Sequence, residues 1–426
     1  MRSLAVLGLC SLVCACQPSI PPATLDLGPP VDANRVDMGV DAPAADLGPP
    51  MDAFGDAGPG DGGFSPSSCH FDATMDLFDV ATDSRARPVR VAVAAGPSSF
   101  GIAYSAIDMN GFENVNLAEL PTAVGSPIAH SPLTSDFFTT TAPTITRTSV
   151  GWLLAWLSNK DGNVEVYSLG SATDGRLATT PTRVTTTPSI SEHEPALAAT
   201  ATSSVLAWFE PGTASTAVVR AIGTDGTVSG TPTRIAPTGL SPQPDALTST
   251  DFGFVLGWCD ADADATVVSV DAMGANASTP AALTPTSHDC NGTIAAAVSH
   301  GGGAAVFDAD NGGRPEVHAH ALDGAGGAIG AESVLTVGVD TGGGASVAEL
   351  GGGYVVAYRQ SGTPAQLRLL FLSSVLVEVQ RLDVTALAAA TGPMTIRVAG
   401  DGTVLVAWAE IVGTTTHFRA ARIRCG

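Results

Sequence analysis

The stretch SSVLAWFE, residues 203–210, runs from two serines through an aliphatic segment to Trp208 and then turns polar. Closely similar phrases recur along the chain: FGIAY ending at Tyr104, WLLAW at Trp156, FVLGW at Trp258, AAVF at Phe307, YVVAY at Tyr358 and VLVAW at Trp408. The closing aromatics are spaced by 52, 52, 50, 49, 51 and 50 residues. Aromatics make up only 5% of the 426 residues, and four of the five tryptophans hold this place. The residue type is therefore reserved for one position in a repeated unit.

Each unit follows the same order. A short apolar run, such as residues 196–199, leads into a tight Gly- or Ser-rich turn: Ser203-Ser204, residues 301–303, residues 351–353, residues 400–402. The strand ending in the aromatic follows. A polar loop then leads to a third strand, expected at residues 164–169, 217–222, 267–270 and 316–322. A further turn carries Asp174-Gly175 or Asp225-Gly226, and a threonine-rich fourth strand closes the unit. TPTRV at Thr180 and TPTRI at Thr231 lie 51 residues apart and fix the register independently of the aromatics. Turn signals between short β-branched runs, without sustained helical periodicity, specify an all-β fold. A period near 50 with four strands per unit and seven units predicts a seven-bladed β-propeller of four-stranded blades. Blades are wedges whose separation widens outward, so a large aromatic at a fixed depth fills the gap in every blade.

The last unit is incomplete, because the chain ends one strand, about residues 417–424, after Trp408. Residues 74–82, ahead of the first unit, can supply the missing outer strand and remove an exposed edge. Cys69 and Cys425 flank this junction, and Cys259 and Cys290 fall in neighbouring units. Four cysteines allow three pairings; 69–425 with 259–290 is the expected one.

The first residues are a targeting segment: Arg2, a short apolar run, then cysteines at 10, 14 and 16. The run is too short to span a bilayer as a helix. Val13-Cys14-Ala15-Cys16 resembles the lipobox of bacterial lipoproteins, which implies a signal peptide at 1–15 and a lipid on Cys16. The other reading is an ordinary secretory signal with incidental cysteines. Gln17 in place of Asp implies delivery to the outer membrane, on its periplasmic or surface face. DLGPPVDA at 26–33 and DLGPPMDA at 46–53 mark residues 16–68 as a disordered Asp/Pro/Gly-rich tether, since proline blocks both helix and ladder and the aspartates repel one another. The propeller body is residues 69–426. Its partners are then a membrane, reached through the lipid anchor, and an unidentified protein or glycan, with the body monomeric.

A net charge of −22 repels phosphate backbones and excludes nucleic acid as a partner. Asp260, Asp262 and Asp264 in DADADA match the first half of a calcium loop, but its turn glycine and bidentate glutamate are missing. A solvated loop is the expected reading, with no cofactor and calcium as the alternative. DADNGG, residues 308–313, stands at the same place one unit later. His318 and His320 lie on one strand face without an identifiable third ligand, so a structural pair is expected rather than zinc. Asn276 and Asn291 fit a glycosylation signal only in a eukaryotic secretory route, which the lipobox resemblance argues against.

Residues 86–425 resemble uncharacterised secreted bacterial propellers with aliphatic-Ala-Trp, Asp-Gly and Pro in each unit; the resemblance implies the fold and export and no reaction. Sialidase-type signatures are absent; GGGYVVAY at residues 351–358 echoes a kelch repeat, but most units lack its order of paired glycines, Tyr and Trp; GxSxG and HExxH are absent. No catalytic residue is identified. The expected function is a non-catalytic, lipid-anchored binding module. The alternative is a secreted hydrolase or lyase with its site in the central funnel, and a third reading is a structural envelope protein. An inner-rim set of Arg, Glu and Asp favours the enzyme; an uncharged or uniformly acidic funnel favours the module.

Overall fold

A computed structural model describes residues 68–81 and, short loop segments apart, 91–425. The signal segment, Cys16 and the tether lie outside the described residues. Seven antiparallel sheets are present; six are ordered along the chain from an innermost to an outermost strand, and the seventh takes its outermost strand from Cys69–Ala81. The innermost strands are Val91–Ala95, Thr140–Arg147, His193–Ala199, Leu247–Ser249, Asp289–Ser299, Gly342–Leu350 and Thr395–Val398. Each packs against the innermost strand of the next blade, and the seventh packs against the first, so the ring closes around one axis.

Blade 7 is completed as the sequence required. Its third strand, Thr415–Cys425, pairs with Cys69–Ala81, and Cys69 stands opposite Cys425 and is disulfide-bonded to it. A second disulfide joins Cys259, at the end of the second strand of blade 4, to Cys290 in the innermost strand of blade 5. Both expected pairings are present. The innermost place of blade 7 is shared by Ala390–Thr391 and Thr395–Val398, which both pair with Thr403–Val412.

All seven repeated aromatics end up buried on the second strand of their blade. Each faces the preceding blade. Trp156 packs with Ala92, Ala103 and Val115 of blade 1, and Trp208 with Leu153, Ala155 and Val166 of blade 2. Trp258 meets Phe209 of blade 3 edge-on at 6.4 Å between ring centroids. Phe307, Tyr358 and Trp408 repeat the arrangement against blades 4, 5 and 6. Tyr104 closes the circle against Phe418 of blade 7, at 5.2 Å. Alanines opposite the aromatics let the sheets approach near the axis.

Two local devices repeat as well. In blades 1, 2 and 5 a threonine hydroxyl near the outer strand accepts the N–H of the third strand 19 residues earlier: Thr134 from Val115, Thr185 from Val166 and Thr336 from Val317. This gives the threonine-rich fourth segment its purpose. The turn between third and fourth strands also leans on the preceding blade. Gly326 has φ +85°, and a Cβ there would lie 1.8 Å from Val255 Cγ2. At the matching turn of blade 6 stands Leu376, φ +60°. Its N–H reaches Ser373 O as that of Gly326 reaches Asp323 O, and its side chain fills the gap instead of leaving it clear.

Candidate active site in the central channel

The seven innermost strands enclose a channel of about 560 Å³. Most of its wall is Ala, Val, Leu and Thr. Its charged lining residues, among those described, are Arg147, Glu349 and Arg397. These lie on three different blades, about 50 and 200 residues apart in sequence, and only ring closure brings them to one rim.

Hairpin register fixes the level. Arg147 pairs with Trp152 across the first turn of blade 2, and Glu349 pairs with Tyr354 across that of blade 6. Both immediately precede the tight turn, as do Ala95 in blade 1 and Ser249 in blade 4. Arg397 stands one residue further back, next to Val398.

Strand alternation fixes the direction, because successive side chains point to opposite faces. Ile145 packs into the layer between blades 1 and 2, so Arg147, two residues on, also faces blade 1. Its guanidinium lies 4.9 Å from the Trp152 ring centroid. Trp152 in turn donates its indole N–H to the Glu119 carboxylate of blade 1. Thr395 donates its hydroxyl to Val91 O of blade 1 at 3.1 Å, so Arg397 likewise faces blade 1, from the other side. An Arg397 N–H also reaches Ile396 O at 2.7 Å. Glu349 faces blade 5 and accepts the Gly352 N–H at 3.0 Å.

The residues singled out from the sequence hold other positions. Asp260 clamps its own loop: it accepts the Asp264 N–H at 3.0 Å and the Thr266 hydroxyl at 3.2 Å. Asp262 lies outside the described residues, and among those described no group of three or more His, Cys, Asp or Glu is placed to hold a metal. Asp308, directly after the anchor Phe307 of blade 5, is buried and accepts the N–H groups of Gly344 and Ala345 from blade 6 at 2.6 and 3.2 Å. It is an inter-blade tether. His318 is wholly buried between the Glu332 and Glu316 carboxylates. His320 reaches Ala321 O at 3.0 Å. Asn276 donates to Asp271 within its own turn.

Glu165 has no exposed side-chain surface and is held by Arg183 at 2.6 Å, with Thr185 also bound to it. Tyr167 beside it donates to Asp161, and its phenol is pushed well above the usual range by burial and by that carboxylate. Burial likewise raises Tyr104. Neither phenol is prepared to act as a nucleophile.

No protein-family model and no curated protein matches the chain. Solved structures do. The α-L-arabinofuranosidase Arb93A from Fusarium graminearum, in complex with an iminosugar inhibitor, covers 83% of this chain and 98% of its own, at 10% identity and a TM-score of 0.50. A complex of the Fusarium graminearum arabinofuranosidase with arabinobiose covers 82% and 98% at 11% identity, TM-score 0.49. A thermostable family-43 glycoside hydrolase covers 74% and 97% at 9% identity, TM-score 0.37. At such identities the likeness is one of fold. With the arabinofuranosidase Arb93A among the structures that share the ring, and with Arg and Glu on the inner rim, the expectation of a non-catalytic binding module is withdrawn. It failed because the rim residues are scattered over three repeats and carry no local signature.

Proposed function

We propose that the ring is an exported hydrolase or lyase acting on a glycan, with its site in the central channel. The observation that carries this reading is the charged rim. Arg147, Glu349 and Arg397 stand in a channel otherwise lined by small and apolar groups. Glu349 is the carboxylate available on that rim for proton transfer, and the two guanidiniums can stabilise negative charge on a substrate. The fold's solved arabinofuranosidase relatives make polysaccharides the substrate class to test first. The two disulfides accord with an oxidising compartment. We place the enzyme on the cell envelope, tethered by a lipid on Cys16 and lifted from the outer membrane by residues 17–68.

The test is release of reducing ends or unsaturated products from a panel of neutral and acidic polysaccharides by the full-length protein. Loss of activity in Glu349→Gln, with unchanged far-UV circular dichroism, supports the reading. Activity unaffected by Glu349→Gln removes the channel as the site. Mass spectrometry of the mature N-terminus checks the anchor: a diacylglyceryl Cys16 supports it, and an unmodified start elsewhere ends it.

A further inference from the structure

We infer that Phe252 is a stacking platform for a sugar ring at the mouth of the channel, a subsite outside the one where the bond is cut; this rests on the channel being the site. The inference begins with place. The innermost strand of blade 4, Leu247–Ser249, lines the channel, and Ser249 pairs with Phe254 to close the hairpin. The turn between them, residues 250–253, therefore stands at the mouth. The matching turn of blade 3 lines the same wall through Thr200 and Ala201. Blade 4 is two blades from Arg147 in blade 2 and two from Glu349 in blade 6. Phe252 lies six residues before its anchor Trp258, where the other blades carry Ser98, Val150, Thr202 and three glycines.

The second observation is exposure. Phe252 is 72% exposed, the most of any aromatic among the described residues, in a chain that buries its tryptophans and tyrosines. Met273, 66% exposed, stands on the adjacent turn of the same blade, because Gly253 pairs with Asp271. Both turns are fixed by their own hydrogen bonds. The Phe252 N–H donates to Thr250 Oγ1 at 3.1 Å, and the Thr250 N–H donates to Gly253 O at 2.8 Å. Asp271 accepts the N–H groups of Met273 and Ala275 at 3.1 and 2.8 Å. A Cβ on Gly253 would lie 2.2 Å from Val270 O, so the two turns back directly onto each other. An aromatic carried on so fixed a turn is preorganised for a ligand. Size and electrostatics then select the ligand. Two side chains cover far less than the ~800 Å² per partner of a stable protein interface, whereas one phenyl ring matches one sugar ring. The face of the ring is its negative side. A sugar ring offers that face its C–H bonds and keeps the hydroxyls at its edge in water. A ring on Phe252 and a bond cut at the Glu349 rim, two blades away, require a chain of several sugars. The substrate class is therefore an oligo- or polysaccharide, ahead of a disaccharide.

The test applies the full-length protein to a printed array of neutral and acidic oligosaccharides, two to six residues long, and measures the affinity of the best series by calorimetry. Within that series the hexasaccharide is expected to bind about tenfold more tightly than the disaccharide. Phe252→Ala should remove that increment and leave the disaccharide as it was. Phe252→Leu, which keeps an apolar side chain but not the flat face, should behave like Phe252→Ala, and Phe252→Trp should keep the increment. The side chain is exposed, so none of the three variants should melt earlier than the parent. Four results overturn the platform: no oligosaccharide bound, equal affinity for short and long chains, an increment unchanged in Phe252→Ala or Phe252→Leu, or a loss matched by a fall in melting temperature. Glycan cleavage that depends on Glu349, with a KM unchanged in Phe252→Ala, sinks the platform and leaves the proposed activity standing. Binding that depends on Phe252, without cleavage of any glycan, does the reverse.

Discussion

The aromatic that repeats in every blade invites one substitution experiment, in two versions. Trp208 is almost fully buried against blade 2, and its indole N–H finds no hydrogen-bond partner among the described residues. Trp208→Ala should cost about 3–5 kcal/mol, the range for a large aromatic removed from a core. Trp208→Phe loses far less. The missing area and the small cavity together cost about 2 kcal/mol, while removing a buried, unpaired donor returns about 1–3 kcal/mol. The two nearly cancel, and Trp208→Phe should lie within about 1 kcal/mol of the parent. Blade 5 already uses Phe307 at the equivalent place. Trp152 is the contrast. Its N–H serves the Glu119 carboxylate and its face carries Arg147. Trp152→Phe should therefore add the loss of a hydrogen bond to a charged group, about 1.5–3 kcal/mol, to the packing loss. Urea denaturation of the full-length variants, followed by far-UV circular dichroism, separates the cases. The reasoning is refuted if Trp208→Phe costs as much as Trp208→Ala, or if the two phenylalanine variants are equally destabilised.

The remaining predictions use other features of the ring. The Cys69–Cys425 bond closes a separation of 356 residues and Cys259–Cys290 one of 31; logarithmic loop entropy makes the first worth about 2 kcal/mol more, so its paired serine variant should show the larger drop in melting temperature. Gly326→Ala should be severely destabilising, because the new Cβ meets Val255, whereas Gly330→Ala, with φ +77° and open space around it, should cost only about 1–2 kcal/mol; similar losses at the two sites would show that the turn does not brace blade 4. The Thr227 backbone N–H, and then its hydroxyl, hold the Asp225 carboxyl below its ordinary value of 3.8. A lowered folded value stabilises above the unfolded one and is lost as pH falls through the folded one, so acid titration of Asp225→Ala should show less loss of stability below pH 3.8 than the parent. A parallel pair of curves would refute that assignment.

The fold could be read in advance because its determinants repeat. An aromatic at one strand position, a turn before it and a threonine strand after it are each local features. Seven copies at a spacing near 50 turn a weak signal into an architecture. Closure was legible for a different reason: a unit short of one strand, and cysteines on either side of the break, leave few ways to finish a ring. The rim was hidden because its residues depart from the repeat. At the position before the first turn the blades carry Ala95, Arg147, Ala199, Ser249, Val298, Glu349 and Val398. Aligning the chain on its aromatics and counting nine residues back would have displayed the first six of these, and the two charged ones stand out against four small or apolar ones; in blade 7 the same count reaches Ala399. Arg397 would still have been missed, since it lies one residue out of register and faces the other way. A repeat constrains what each blade must share, namely packing against its neighbour. Interrupting the pattern does not by itself mark the channel. Arg147, Glu349 and Arg397 interrupt it and line the channel, whereas His318 interrupts it too, opposite an anchor where the other blades place Asn116, Tyr167, Val218, Thr266, Arg368 and Arg419, and it is buried between carboxylates.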